Sequence, residues 1–296
     1  MTIQAYSQAV YEAGQNYAAC LISVGDNGTT FSVGGNATVS AACGLAALSC
    51  SDDALVIDGS ATVTTDSIAT CGTANVPASL EGVVSERVQG LIDTFADLTP
   101  PTNNTNRTYA CVGNGNRATA APLPGTYAGL TVRCRTTFAS GIYVINGGEL
   151  DLTGNYTVTG TNVMFVLKNG ARLKLGGSGN NNTVTLTPMQ ASNFTALGYS
   201  QTLANRYANM LIFEDRSSNP TQDHIINGNS TSLFQGTIYL PKGTARVNGT
   251  ASLDSSCLQI SAARINILGN AYRDTRCPSA MTNSAGTSIA RVSLVA

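Results

Sequence analysis

Chemistry at an imidazole has one possible seat in this 296-residue chain, His224, so a Ser-His-Asp relay or a histidine-rich zinc site would have to be built around it alone. It follows the one local concentration of charge, Glu214, Asp215 and Arg216, and stands next to Asp223. Grouped carboxylates of this kind serve as general acid, general base or cation ligands in enzymes that cleave polysaccharides. Glu214, Asp215 and Asp223 are therefore the alternative catalytic cluster. The plainer reading is a solvated loop after a buried strand at residues 210–213, with His224 at a corner of the chain beside Asp223. The plainer reading is the expected one, so no catalytic residue, metal ligand or cofactor is assigned. Residues 176–180, Gly-Gly-Ser-Gly-Asn, lack the aspartate and the second copy that a calcium-binding glycine-rich repeat needs.

The eight cysteines carry a different chemistry. None forms a C-x-x-C pair and no histidine partners them in a zinc pattern, so disulfides in an oxidising compartment are the expectation. Cys20 and Cys43 are 23 residues apart, Cys50 and Cys71 21, Cys111 and Cys134 23, and Cys257 and Cys277 20.

That spacing matches a repeat. Phe31-Ser-Val33 is followed by Gly35-Asn36 and Ala-Thr-Val39, and Leu55-Val-Ile57 by Gly59-Ser60 and Ala-Thr-Val63. Looser copies centre on Gly154-Asn155, Leu173 to Leu186, Gly228-Asn229, Gly249-Thr250 and Gly269-Asn270. A unit of 20 to 24 residues is too short for a βαβ crossover. It suits two or three short strands with apolar residues facing inward, broken at a Gly-Asn corner where positive φ costs little. Units of this kind bury their apolar faces only by stacking. The expected fold is all-β, a parallel β-helix running through residues 1–296 as one domain, with roughly ten or eleven coils of about 4.8 Å and a rod on the order of 50 Å long. Residues one coil apart would then lie within disulfide reach, which favours sequential pairing, although sequence alone leaves other pairings open. A β-sandwich is the alternative; it would show turn signals every 8 to 12 residues without a Gly-Asn period.

The pattern changes over residues 77–126, an expected helix-plus-loop insertion. Leu80, Val83, Val84, Leu91, Ile92 and Phe95 fall on one face of a helix, which Pro100-Pro101 would end. A loop rich in Asn, Pro and Ala follows, tied down by Cys111. A second loop or short helix is expected over residues 190–209, a strand over residues 2–11, and a tail or final strand over residues 279–296. Asn-x-Thr triplets such as Asn36-Ala-Thr38 and Asn155-Tyr-Thr157 fit the glycosylation pattern, but the corner geometry accounts for them without sugar.

Charged residues are only 11% of the chain and the net charge is −1, so nucleic acid is not an expected partner. No run of about eighteen apolar residues occurs. Because a strand is expected almost at Met1, the natural chain is expected to begin earlier and to carry an N-terminal membrane helix.

Several phrases together resemble the C-terminal extracellular region of TadG-like proteins of the tight-adherence (Flp) pilus system. They include Gly34-Gly-Asn-Ala-Thr-Val39, Pro124-Gly-Thr-Tyr127, Gly141-Ile-Tyr-Val144, Leu211-Ile-Phe-Glu-Asp-Arg-Ser217, Gly236-Thr-Ile-Tyr239 and Ser256-Cys-Leu-Gln-Ile260. The likeness covers residues 15–278, with the pair Cys50 and Cys71 and residues 77–124 departing from it. It implies export by way of a membrane anchor, a place at the bacterial surface or in the periplasm, and a role in pili or attachment; it brings no catalytic residue. The expected function is a non-catalytic structural or adhesive component with other pilus or envelope proteins, or surface glycans, as partners. The alternative is a carbohydrate-active enzyme or polysaccharide-binding module on the same scaffold.

Overall fold

A computed structural model describes the chain apart from residues 1–7, 13–15, 177–181, 220, 228–231, 249–251, 256, 270–271, 276–282, 288–290 and 296. The chain is a parallel β-helix of about ten coils. Three ladders of parallel strands run along the stack. The first passes through Thr119–Ala120, Arg135–Phe138, the first half of Thr157–Lys168, Thr183–Pro188 and Leu233–Phe234. The second includes Gly125–Tyr127, Gly141–Asn146, the second half of Thr157–Lys168, Met210–Glu214 and the start of Gly236–Val247. The third includes Leu130–Thr131, Glu149–Asp151, Arg172–Leu175 and Asp223–Ile226. Alternation does what the repeat predicts: Phe31, Val33, Leu55, Leu150, Leu173 and Leu175 point inward and are sealed from solvent, with half-exposed residues between them.

The coils do not stack in sequence order. Leu258–Ile267, near the end of the chain, pairs on one side with Gly236–Val247 and on the other with Leu21–Ser23 and Phe31–Val33. Tyr272–Thr275 likewise pairs with Thr38–Ala41. The N-terminal coils therefore extend the stack beyond the last C-terminal coil, passing through Leu45–Ala47 and Leu55–Ile57 to a terminal rung at Ala74–Asn75 and Val84–Ser85. The corner repeat continues across this junction. Gly269, Gly35 and Gly59 all have left-handed φ, and the Asn36 N–H donates to the Gly269 carbonyl at 3.0 Å as the Ser60 N–H does to Gly35 at 2.9 Å. A Cβ on Gly35 would lie 3.1 Å from the Gly269 backbone nitrogen, so the corners stack this closely only as glycines.

From the terminal rung the chain must return to the opposite end, and it does so along the outside of the second ladder. Val88 donates to the Thr70 carbonyl, Leu91 packs by Ile22 and Ala46, Phe95 and Leu98 join Met164, Val166, Phe213 and Tyr239, and Asn103 bonds the Ile142 carbonyl. The helix expected over residues 77–100 is accordingly replaced by an extended strap, with one 3-10 turn at Glu81–Val83. A helix advancing about 1.5 Å per residue could not cover the rungs that this segment crosses, whereas an extended chain can. Two helices do form where a loop or short helix was expected: α1 (Ala191–Ala196) and α2 (Gln201–Tyr207). Phe194, Ala204 and Tyr207 close the rest of the same face. This is why the strands Leu21–Ser23 and Met210–Glu214 are buried at every position rather than at alternate ones.

Three of the four expected disulfides are present, Cys20–Cys43, Cys50–Cys71 and Cys111–Cys134, with Cα separations of 5.4, 4.5 and 6.2 Å. Cys257 is also disulfide-bonded, but its expected partner Cys277 lies outside the described residues. So do residues 228–229, 249–250 and 270 of the looser corners, residues 177–180, and most of the strand expected over residues 2–11, of which Gln8–Glu12 is described. The tail holds two strands, Asn283–Thr287 and Arg291–Val295, antiparallel to Asn16–Ala19 and Gln8–Glu12. Among the described residues no helix is long and apolar enough to cross a membrane.

Candidate functional site

The candidate carboxylates are dispersed, and the most interesting of them is shut inside the rod. Glu214 ends the fully buried strand Met210–Glu214, and His224 is an inward residue of Asp223–Ile226; both are 0% exposed. The expectation of a solvated loop at Glu214 and a corner at His224 is corrected here: both sit on strands that face the core. The Leu173 N–H donates to Nδ1 of His224 at 3.1 Å, which leaves Nε2 as the proton-bearing nitrogen, 3.2 Å from Oε1 of Glu214. Oε2 of Glu214 accepts the Lys242 and Gly243 N–H groups at 2.9 and 3.1 Å. Those two residues form the corner where Gly236–Val247 shifts register between Leu240 and Thr244. A Cβ on Gly243 would fall 2.2 Å from Nε2 of His224, so the corner closes over the ring only because residue 243 is glycine. Buried polar groups with every partner present make a rigid unit, and this one fixes the turn from the second ladder to the third.

The neighbours go elsewhere. Asp215 accepts from the Ser217 N–H and hydroxyl at 2.9 and 2.8 Å, holding a tight turn, with Lys168 3.9 Å away. Asp223 faces outward and pairs with Arg246 at 2.9 Å. Arg216 reaches the strap, where it meets Asp93 and lies over the Tyr239 ring at 5.6 Å, while the Tyr239 hydroxyl donates to Asp93 at 2.8 Å. Burial pushes the Tyr239 phenol up to about 12. Two further contacts pin the strap: a bidentate bond from Arg206 to Asp97, at 2.8 and 2.7 Å, and the Tyr207 hydroxyl on the Thr99 carbonyl. Asp93 is 123 residues from Arg216 and 146 from Tyr239 in sequence. Nothing in the sequence around Asp93 marks it as the strap's polar anchor. Gly243 was equally unmarked.

The outer surface is where ordered, accessible chemistry remains. On the first ladder Thr137, Thr159 and Thr185 lie in register, with Thr157 beside Thr183, all on the outward side. Thr159 donates to the Thr137 hydroxyl at 3.2 Å. The third ladder carries a charge lattice in which Lys174 binds Glu149 at 2.8 Å and approaches Asp151. Among the described residues no group of three or more His, Cys, Asp or Glu could hold a metal ion.

Comparison with known proteins gives no family model, no curated protein and no solved structure that matches this chain.

Proposed function

We propose that this chain is a non-catalytic structural or adhesive component of a bacterial surface assembly, acting outside the cytoplasm with pilus or envelope proteins, or with surface glycans, against its hydroxyl-lined faces. The observation that carries this reading is the fate of the one acid-base pair. Glu214 and His224 have no solvent contact and every hydrogen-bonding atom of the pair is engaged in holding a corner. A general acid must reach its substrate, and a polysaccharide cannot approach this carboxylate. The three disulfides suggest an oxidising compartment, periplasmic or extracellular. The TadG-like phrases of the sequence support a pilus connection, and a stapled rod with flat threonine ladders suits repeated weak contacts along a surface.

Deleting the gene in its source bacterium, then imaging surface filaments and counting cells retained on a surface, tests the reading. Lost filaments would mean an assembly role, and intact filaments with lost retention an adhesive one. If both are unchanged the reading fails.

A further inference from the structure

Charge is distributed along the rod with opposite sign at its two ends. Residues 1–100 contain ten carboxylates and one arginine, whereas residues 101–296 contain fifteen Lys and Arg against seven carboxylates. The permuted stack turns this sequence asymmetry into an axial one. The terminal rung at one end is built from Ala74–Asn75 and Val84–Ser85, and Asp53, Glu81 and Glu86 share a cleft there, with Asp52 exposed beside it and Arg87 as the one base. At the other end lies the coil that enters at Asn106, which bridges to Thr126. There Arg107 and Arg133 share a cleft with Tyr109, Arg117 and Arg135 are exposed nearby, and residues 101–148 hold no carboxylate at all. None of these four arginines forms an ion pair among the described residues.

Both ends also expose apolar surface, and the acidic end presents strand edges, with the Ala74 N–H donating to Glu86 at 2.7 Å; at the basic end Val112 and Asn106 already bridge to Thr119 and Thr126. Ala74–Asn75 and Val84–Ser85 each have a strand partner on one side only, and Val76, Val83 and Val84 are part-exposed beside the acidic groups. At the basic end Val112 is 75% and Leu123 49% exposed. Unpaired strand edges are templates for pairing with another chain.

From these features we infer that the two ends are complementary faces of one interface, and that the partner is a second copy of this chain docked end to end, acidic face on basic face. The molecule already contains such a joint. Its C-terminal coil docks on its N-terminal coil by parallel pairing between segments more than two hundred residues apart in sequence, Ile260 opposite Leu21 and Ile265 opposite Phe31. On the second and third ladders the rungs run parallel, so a copy translated along the axis presents the same parallel relation there, while on the first ladder the antiparallel Val112–Thr119 bridge caps the basic end. The contact is heterologous and does not close, so it propagates as a filament. Asn16–Ala19 leads into the junction coil and pairs with Asn283–Thr287, so this pair of strands lies beside the middle of the stack.

The inference deepens the structural reading above, yet it is tested on purified protein, so its failure would leave the deletion experiment to judge that reading separately. Sedimentation velocity of the oxidised full chain should show a weight-average mass that rises with concentration in low salt and falls toward the monomer in high salt, because exposed charges are screened. Arg107→Glu with Arg133→Glu, and separately Asp52→Arg with Glu81→Arg, should each abolish association while leaving the melting temperature and disulfide map unchanged. Mixing the two variants should restore complexes, since each retains one native end. A wild-type chain that stays monomeric at all concentrations in low salt would overturn the proposal. So would association that persists in both variants alone, or two folded variants that fail to combine.

Discussion

The coils before the strap and the coils after it solve the same problem in different ways. The N-terminal block, from Cys20 to Val88, has strands of two to four residues and a core rich in small side chains, Ala37, Ala41, Ala47 and Ala54 among them. Two of the three described disulfides staple it, one per coil. The following block has strands of up to 12 residues and a stacked aromatic core. There Phe138 packs edge-on to Tyr143 and Phe165 at 5.1 Å from each, and Tyr143 stacks on Tyr127 at 6.1 Å. Small inward residues bury little apolar area per rung, so the first block leans more on cross-links that restrict its unfolded chain; large ones bury more per rung, and in the second block the Cys111–Cys134 bridge ties down the first coil while the aromatic rungs between Tyr127 and Phe165 are held by packing. A rung can thus be held covalently or by packing.

The comparison breaks most severely at the aromatic stack. Phe165→Ala should cost about 3–5 kcal/mol in denaturant unfolding, because removing a fully buried ring packed on Phe138 and Tyr143 leaves a cavity. Removing the Cys50–Cys71 bridge by a double change to alanine should cost about 3 kcal/mol, and hydrogen exchange should locate the loss in residues 44–90 with the aromatic rungs unaffected. If both changes destabilise both blocks equally, the division is wrong. Glu214→Gln preserves shape but turns an amide donor toward either the His224 N–H or the two backbone N–H groups at the Lys242 corner, for about 2 kcal/mol. The smallest effect is alkaline and confined to the second block. The Tyr239 phenol resists ionising in the fold, with burial as the main cause, so the stability tied to its neutral form is complete below about pH 10 and is lost as the pH climbs toward 12. Tyr239→Phe should flatten that part of the pH profile in thermal melts.

Much of this architecture can be read from residues. The Gly-Asn period and the cysteine spacing both report one coil, and the structure gives them that meaning in the stacked Gly35 and Gly59 corners and in three bridges. What a period cannot carry is the order of coils. Parallel pairing needs only compatible edges, and nothing in Phe31-Ser-Val33 says that its neighbour will be Ile265-Asn-Ile267 as well as Leu55-Val-Ile57. The extended form of the strap is hidden in the sequence for a related reason. Leu80, Leu91 and Phe95 have helical spacing, but their partners belong to three separate packing groups along the rod. Glu214 shows the same limit at a single site: a charge after a buried strand ordinarily marks the surface, and only the Lys242-Gly243 corner, 28 and 29 residues on, supplies the donors that let it stay inside.

One cross-link tests the permuted stack most directly. Ser32 and Asn266 are register neighbours on the third ladder at the junction, at the parallel-strand spacing of about 4.8 Å that a disulfide can span. In the chain carrying Ser32→Cys and Asn266→Cys, peptide mapping under non-reducing conditions should find positions 32 and 266 joined within one molecule, alongside the native bridges. A chain whose coils stack in sequence order would hold these positions at opposite ends of the rod, and two free thiols at 32 and 266 in the folded, oxidised protein would contradict the account.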